Sequence, residues 1–356
     1  MRLGALTTMA AVDEGEDMTQ DDVGTRAAGA GAAALSPTTS TVIAGDIGGT
    51  SSRVLLARPD GTILAEHTGP GANLRSSGLA ALDGLARTIG ELLERAAADP
   101  ATVRAVALGL SGAGPARVRD IRDAIAERLL PLGITTTNLL VTDDLLTAFL
   151  SGGVGDTGLL VLAGTGAVAV RVEDRRPVRR RDGMGWLLGD IGSAVWLGRR
   201  TLEVVAADLD DRGPRTSLTE QVGADLGLDL RDGTQPPSPT GDLRQDLIRA
   251  LDDAVPAGSP SALGRFAPLP ARVPDDPVAA GILDAAARTV EDTLAALDLD
   301  GTLPVVLAGS VLTSDGPLRE RALALIAGQG RRVGTARDGL PGALLLARDL
   351  AAGQSA

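Results

Sequence analysis

A glycine turn between two apolar segments occurs twice in the chain, and this repeat constrains the fold more than any other feature. At residues 41–57 an apolar run ends in Asp46, turns at Gly48 and Gly49, and returns as a second apolar run. At residues 158–172 the same arrangement surrounds Gly164-Thr165-Gly166. Short apolar runs bounded by turn residues predict buried strands. The chain therefore reads as two related β-β-β-α units.

The remaining pattern completes an α/β fold. Further strands are predicted at residues 62–68, 103–110, 139–142, 304–308 and 331–335, and the arginine-rich segment 175–181 is typical of a solvated hairpin edge. Apolar residues at helical spacing predict helices at about 75–98, 115–130, 144–150, 192–208, 216–227, 242–254, 278–297, 317–328 and 341–351. Three strands before each helical run predict mixed sheets in two domains. Two such domains would meet at a central cleft, where ligands usually bind.

The domain organisation follows from these patterns. Residues 1–40 are rich in Ala, Gly, Thr and acids without sustained periodicity, so we expect a disordered tail. The first domain is predicted at 41–152 and the second at 153–352. Prolines and glycines between residues 232 and 277 predict loops around one helix, within a helical and loop-rich insertion at about 210–275.

Composition excludes several kinds of chemistry. The chain has 356 residues, and all 34 of its basic residues are Arg. Without Lys it cannot be a P-loop NTPase or a Schiff-base enzyme. Without Cys it cannot bind an iron–sulfur cluster or use a thiol nucleophile, and this absence fits a reducing cytoplasm. A net charge of −12 argues against nucleic acid or an anionic membrane as the main partner.

The two glycine turns are candidate phosphate sites. Gly48 and Gly49 would let backbone N–H groups approach an anion closely, and Thr50 adds donors. Asp46, at the strand end, could hold a hydrated Mg2+ against the same phosphate. Either Gly48-Gly49 or Gly164-Thr165-Gly166 alone could be an ordinary hairpin turn. Together, one in each half of the chain, they favour a clamp on a polyphosphate.

Three further segments carry candidate binding groups. A strand ending in Gly309 and Ser310 would admit a flat ring or a ribose, although it could also be a plain turn. The loop from Gly183 to Ser193 contains four glycines, and its Asp190 could accept hydrogen bonds from hydroxyl groups. The alternative for this loop is a helix cap at Asp190 or Ser193. Asn73 precedes a helix and could bind a polar ligand, or it could form an Asx-turn or a helix N-cap.

Asp143 and Asp144 follow the predicted strand at residues 139–142. Ligands gather at the carboxyl ends of strands in α/β sheets, so Asp143 is expected to face the cleft while Asp144 starts the next helix. Aspartate is also a common helix cap, and one of the two carboxylates could serve only in that way.

The order of these sites resembles that of the sugar kinase/Hsp70/actin ATPase superfamily. Within it, the chain is most similar to the BadF/BadG/BcrA/BcrD ATPase family and its N-acetylglucosamine kinases. The residues that carry this resemblance are Asp46-Ile-Gly-Gly-Thr50, Leu110-Ser111-Gly112, Thr142-Asp143, Gly164-Thr165-Gly166, Leu188-Gly-Asp190-Ile-Gly-Ser193, Ala308-Gly309-Ser310 and Leu340-Pro-Gly-Ala-Leu344. The resemblance implies two ribonuclease H-like domains with mixed sheets on either side of a central cleft.

The resemblance also implies a role for each matching residue. Asp143 corresponds to the catalytic aspartate, and Asp46 to the acid associated with Mg2+. Asn73, Gly183, Asp190 and again Asp143 lie at sugar-binding positions. The nucleotide-binding positions are Gly48, Gly49, Thr50, Gly164, Thr165, Gly166, Gly309 and Ser310. Relatives are often dimers, so the resemblance allows a homodimer.

The activity implied is transfer of phosphate from ATP to the 6-hydroxyl of an amino sugar, most simply N-acetylglucosamine. The chain departs from the family pattern at Ile191, where relatives often carry Glu and where a side-chain hydrogen bond to a sugar is therefore lost. Met184 and Ala167 depart as well. Two alternatives stay open: a kinase for glucosamine or glucose, and a nucleotide-binding regulatory ATPase without a sugar substrate.

Overall fold

Ten strands form two five-stranded sheets within residues 40–72, 74, 77–114, 116–135, 137–231 and 239–354, the part of the chain that the computed structural model describes. The tail predicted at residues 1–40 lies outside this part except for Ser40, and so does Asn73. The first sheet contains β1 (Thr41–Ile47), β2 (Ser51–Ala57), β3 (Ile63–Pro70), β4 (Val103–Leu110) and β5 (Leu139–Asp143). Its strand order is β3-β2-β1-β4-β5, with the first three strands antiparallel and β1, β4 and β5 parallel.

The second sheet repeats this topology. It contains β6 (Gly158–Ala163), β7 (Ala167–Glu173), β8 (Arg176–Asp182), β9 (Val305–Ala308) and β10 (Val333–Ala336). The order β8-β7-β6-β9-β10 and the directions of its strands match those of the first sheet. The prediction of an α/β fold with two related mixed sheets is therefore confirmed.

The helices pack on both faces of the sheets. Their bounds are α1 (Leu82–Arg95), α2 (Val118–Leu129), α3 (Asp144–Ser151), α4 (Ala194–Leu209), α5 (Leu218–Leu226), α6 (Leu243–Ala254), α7 (Leu269–Arg272), α8 (Pro277–Leu297), α9 (Ser310–Thr313), α10 (Pro317–Gly328) and α11 (Leu340–Ala351). In the part of the chain described, no helix combines the length and the apolar character needed to cross a bilayer.

Alternating side chains of each central strand fill two different cores. Along β1, Val42 and Ala44 belong to the core between the two sheets, whereas Ile43 and Ile47 belong to the core beneath α1 and α2. Both faces of β1 are therefore covered, which explains why the sequence shows a nearly continuous apolar run there. The fully buried Phe149, on α3, fills the layer between the sheets.

Two helices, α3 and α11, form the layer between the sheets. The last helix, α11, follows the second sheet in the chain, yet it packs against β1, β4 and α3. Gly342 allows this close approach, because a Cβ there would lie 2.1 Å from the carbonyl oxygen of Thr147. The division into domains at residues 41–152 and 153–352 remains a prediction.

The segment expected to consist mainly of loops contains more order than its composition indicates. A 3-10 helix at Pro260–Phe266 and α7 follow α6. Phe266 and Leu269 are fully buried against the second sheet's outer core. Prolines at the starts of these short helices replace amide donors that would lack helical partners, so they favour the helices instead of breaking them.

Candidate active site

The first glycine turn joins β1 to β2 and is braced by the segment after β3. The Gly48 N–H donates to the carbonyl oxygen of Ser51 at 2.9 Å, while Gly49 and Thr50 are exposed. Gly71 packs directly on the turn, since a Cβ on Gly71 would lie 2.4 Å from the Thr50 nitrogen. The turn therefore keeps a fixed shape with its backbone open to solvent.

Asp46 lies beside this turn and contacts the loop between β10 and α11. Its carboxylate accepts a hydrogen bond from the Gly339 N–H at 3.0 Å. Burial raises the pKa of the Asp46 carboxyl above its usual range, although the Gly339 N–H opposes the rise. The nearby charge of Asp338 raises this pKa further, and that of Arg53 lowers it.

Asp143 and Asp144 mark the junction between β5 and α3. Asp143 is the N-cap of α3, and its Oδ1 accepts from the Leu145 N–H at 2.9 Å. Asp144 begins the helix, as predicted. Burial raises the pKa of Asp144 to about 8, with a hydrogen bond to Asp143 and the charges of Asp143 and Asp46 acting in the same direction. A hydrogen bond from Ser111 opposes them.

A cavity of about 230 Å3 lies where the two sheets and the central helices meet. Its lining combines residues from the first glycine turn, the starts of α3 and α11, and the end of β9: Asp46, Gly48, Ser51, Arg53, Asp144, Ala148, Leu162, Ala308, Gly309, Ala336, Arg337, Asp338 and Gly339. The N-termini of α3 and α11 both face this cavity, and their dipoles favour an anion there. Of the predicted nucleotide-binding residues, Gly48 and Gly309 lie in this lining, and so does the predicted metal-associated Asp46.

The second glycine turn packs against the end of β9. The Gly164 N–H donates to the Gly166 carbonyl oxygen at 2.9 Å, which closes the turn before β7. Gly309 has a φ of 79°, and a Cβ there would lie 2.3 Å from the Ala163 carbonyl oxygen. The backbone of the predicted adenosine segment therefore contacts the backbone of the predicted second phosphate segment, and only glycine fits at position 309. Ser310 is the first residue of α9.

Asp190 lies against the second turn. A Cβ on Gly166 would lie 2.9 Å from the Asp190 Oδ2, so the absence of a side chain at Gly166 leaves room for this carboxylate. The helix cap in this loop is Ser193, whose Oγ accepts from the Trp196 N–H at 3.1 Å. Asp190 is therefore not needed as the cap. Gly183, at the start of the loop, has a φ of 72°.

Asp182, which was not among the residues predicted from the sequence, holds the loop that carries Asp190. Its Oδ1 accepts from the Asp190 N–H at 2.8 Å and its Oδ2 from the Ile191 N–H at 2.9 Å. Gly189 makes room for the carboxylate, because a Cβ there would lie 2.2 Å from Oδ1. The only hint in the sequence is an aspartate at the end of a predicted edge strand, directly before a glycine-rich loop.

The same loop exposes large apolar side chains. The exposed fractions are 65% for Met184, 44% for Trp186, 69% for Leu187, 75% for Leu188 and 44% for Ile191. Isolated exposed apolar residues are common, but a group of five on one loop indicates a surface that is covered when something binds.

Arg53 and the segment Arg337–Gly339 are also functional candidates, and they were not predicted from the sequence. They lie 284 or more positions apart in the chain, and Arg53 forms an ion pair with Asp338. No local pattern links them, because the contact depends on where α11 packs. Asn73 cannot be assigned a place, since it is outside the described residues.

Comparisons with known proteins find N-acetylglucosamine kinases among the proteins similar to this chain. An N-acetyl-D-glucosamine kinase from Dictyostelium discoideum is 30% identical over 192 residues, covering 51% of this chain and 59% of that protein. A crystal structure of a candidate N-acetylglucosamine kinase from Chromobacterium violaceum is 27% identical, with a TM-score of 0.64 over 87% of this chain and 99% of that one. A Porphyromonas gingivalis structure of the same description, 22% identical, has a TM-score of 0.62 over 87% of this chain and 98% of that one, and it supports the fold.

A family model matches most of the chain as well. The match extends over residues 45–347, which include both glycine turns, Asp143, Asp190, Gly309 and the loop before α11. The chain belongs to the BadF/BadG/BcrA/BcrD ATPase family.

Proposed function

We propose that this chain is an ATP-dependent sugar kinase that transfers the γ-phosphate to the 6-hydroxyl of an amino sugar, N-acetylglucosamine. The observation that carries the proposal is the cavity of about 230 Å3 between the sheets, which is lined by Asp46, Gly48, Asp144 and Gly309. The names of the Dictyostelium discoideum and Chromobacterium violaceum relatives favour this substrate.

Phosphoryl transfer needs positioned reactants and stabilised charge more than covalent participation by the protein. In the proposed mechanism the turns at Gly48-Gly49-Thr50 and Gly164-Thr165-Gly166 bind the phosphates from the two halves of the molecule. Gly309 and Ser310 bind the adenosine. The N-termini of α3 and α11 add favourable dipoles at the phosphate end.

Asp143 is the proposed general base, which accepts the proton of the attacking hydroxyl. Such a base must come within about 2.6–3.2 Å of the hydroxyl oxygen. The Leu145 N–H donates to the Asp143 Oδ1 and so fixes the direction of this carboxylate. Capping and catalysis are therefore compatible in one side chain. Asp190, Gly183 and Asn73 are proposed to bind the sugar, with Asp190 accepting hydrogen bonds from its hydroxyls.

Mg2+ fits this site by the chemistry of its donors. Asp46 and Asp144 line one cavity and offer carboxylate oxygens, and Mg2+ usually binds proteins through one or two carboxylates plus waters and phosphates. Among the described residues, no group of three or more His, Cys, Asp or Glu side chains is arranged to hold a metal ion. Mg2+ would supply neutralisation of phosphate charge when bound.

The experiment that tests the proposal measures ADP release with and without sugar. N-acetylglucosamine, glucosamine, N-acetylmuramic acid and glucose are supplied separately with MgATP, and phosphorus NMR of the product identifies the phosphorylated position. We expect strong stimulation by N-acetylglucosamine and a 6-phosphate product. Stimulation by glucosamine or glucose alone would retain a sugar kinase but change its substrate.

A second candidate is a regulatory ATPase that hydrolyses ATP slowly and acts on a partner protein. The five exposed apolar side chains of the loop at residues 184–191 favour it, because such a surface suits protein contacts as well as closure over a sugar. ADP release that none of the sugars stimulates would support this candidate and contradict the kinase.

A homodimer in the cytoplasm is also proposed, and light scattering of the purified chain tests the dimer.

A further inference from the structure

Arg53 lies on the strand that leaves the first glycine turn. It is directly opposite Asp46 in the antiparallel pairing of β1 with β2, so the two side chains share a face of the sheet. Both side chains line the cavity of about 230 Å3, together with Gly48 of the turn. The Arg53 side chain is 48% exposed and therefore accessible to a ligand in that cavity.

The guanidinium of Arg53 is paired with Asp338. The Arg53 Nη1 lies 2.8 Å from the Asp338 Oδ2, and Asp338 is itself 23% exposed. Asp338 precedes Gly339, whose N–H donates to Asp46. The loop before α11 therefore contacts both members of the Asp46–Arg53 pair. Arg53 is held beside the first glycine turn by the carboxylate of Asp338.

The charges around the cavity indicate what this arginine is for. Three carboxyl groups line the cavity, from Asp46, Asp144 and Asp338, against two guanidinium groups, from Arg53 and Arg337. Because the pKa of Asp144 is raised to about 8, this carboxyl is mostly protonated near pH 7 and adds little negative charge. A polyphosphate placed beside Asp46 and Asp338 requires cationic partners. Because the chain has no Lys and its one histidine, His67, does not line this cavity, an arginine must supply any side-chain cation there. Arg53 shares the face of Asp46 next to the first turn, whereas Arg337 is on the loop of the other half.

We propose that Arg53 binds the polyphosphate of the nucleotide, exchanging its partner Asp338 for phosphate oxygens when the nucleotide enters. The inference rests on the proposed function, which supplies the nucleotide. An ion pair as exposed as Arg53–Asp338 contributes little to stability, so its release costs little. A guanidinium–phosphate contact with two parallel hydrogen bonds is stronger and better oriented, which drives the exchange.

The test compares Arg53→Gln with the wild-type chain in binding MgADP and adenosine. Titration calorimetry measures MgADP, and ligand-observed NMR measures adenosine. We expect roughly a tenfold or greater loss of MgADP affinity and unchanged adenosine affinity, because only ADP carries phosphates. Arg58→Gln, just beyond the far end of β2, is the matched control and should bind both ligands normally. Equal losses for ADP and adenosine, or no loss for ADP, would overturn the inference.

Asp338→Asn separates phosphate binding from a purely structural clasp. This variant breaks the ion pair but leaves Arg53 and removes a negative charge from the cavity, so MgADP affinity should be retained or increased. A loss as large as that of Arg53→Gln would show that the pair only holds the loop in place, and would contradict the inference.

The MgADP affinity of Arg53→Gln and the sugar kinase activity of the chain test the inference and the proposed function separately. Weakened MgADP binding by Arg53→Gln, in a chain that phosphorylates no sugar, would sustain the inference and refute the kinase. Normal MgADP binding by Arg53→Gln, in a chain that is an active sugar kinase, would refute the inference and sustain the kinase. A wild-type chain that binds no MgADP would refute both.

Discussion

Replacement of Asp182 by Asn should loosen the loop that carries Asp190 without disturbing the rest of the fold. The two carboxylate oxygens accept separate hydrogen bonds, from the Asp190 N–H at 2.8 Å and the Ile191 N–H at 2.9 Å. Asn keeps one acceptor and places an amide donor against the other N–H. It also tolerates the φ of 61° at this position, so backbone strain is unchanged.

The magnitude follows from the lost hydrogen bond. A hydrogen bond to a charged group contributes about 1.5–3 kcal/mol, and partial exposure of the loop reduces this to roughly 1–2 kcal/mol. If the ordered loop is the form that binds sugar, its affinity should fall about 5- to 30-fold. The affinity for MgADP should change less, because the contacts proposed for the nucleotide are the glycine turns and the end of β9.

Two measurements check this prediction. Hydrogen exchange of the Asp190 and Ile191 amides reports the loop directly, and steady-state kinetics gives KM for N-acetylglucosamine. Asp174→Asn is the matched control, since Asp174 is in the turn at the other end of the β7–β8 hairpin and has a φ of 45°. Unchanged exchange and unchanged KM in Asp182→Asn would refute the claim that this carboxylate positions Asp190.

Three further predictions concern Asp143, Asp144 and the contact between Gly309 and the second glycine turn. Asp143→Asn should abolish sugar phosphorylation while the melting temperature stays within a few degrees, because Asn caps helices about as well as Asp; near-normal kcat would remove Asp143 as the base. The raised pKa of Asp144, about 8 against an ordinary 3.8, means that the folded chain retains a proton that the unfolded chain releases. The stabilising contribution of Asp144 to the free energy of unfolding is therefore complete below pH 3.8 and is lost as the pH rises through about 8. Urea titrations at about pH 5 and pH 8.5 should therefore show that Asp144→Asn gains stability relative to wild type at the higher pH. The same difference at both pH values would contradict the raised pKa. Gly309→Ala should destabilise the fold by about 1–3 kcal/mol and abolish MgATP binding, because of its positive φ and the backbone clash with Ala163. The control Gly281→Ala, in open space on α8, should stabilise by about 0.5–1 kcal/mol; thermal unfolding compares the two.

The structure also changes how the two adjacent acids are understood. The sequence left open whether Asp143 or Asp144 caps the helix. Asp143 is the cap, and it is Asp144 that lines the cavity between the sheets. Asp143 stays the predicted base, because capping a helix and accepting a proton are compatible in one side chain. The direction from which the acceptor hydroxyl approaches depends on how the sugar is bound.

The sequence by itself determined the strands, most of the helices and the repeat. The apolar run at β1 and the glycines after it specify a buried strand and a tight turn through local sterics and burial, without knowledge of the rest of the chain. The duplicated pattern then indicated two related mixed sheets, and the order of motifs indicated the family. These inferences succeed because each depends on residues within one or two elements.

Only the tertiary structure decided which distant groups share the cavity. The contact of Gly339 with Asp46 joins residues 293 positions apart, and the Arg53–Asp338 pair joins residues 285 apart. Both depend on α11 returning from the second sheet to pack on β1 and β4. The support of Asp190 by Asp182 likewise depends on how the loop folds back. Such contacts arise from the packing of whole elements, which no local sequence pattern encodes.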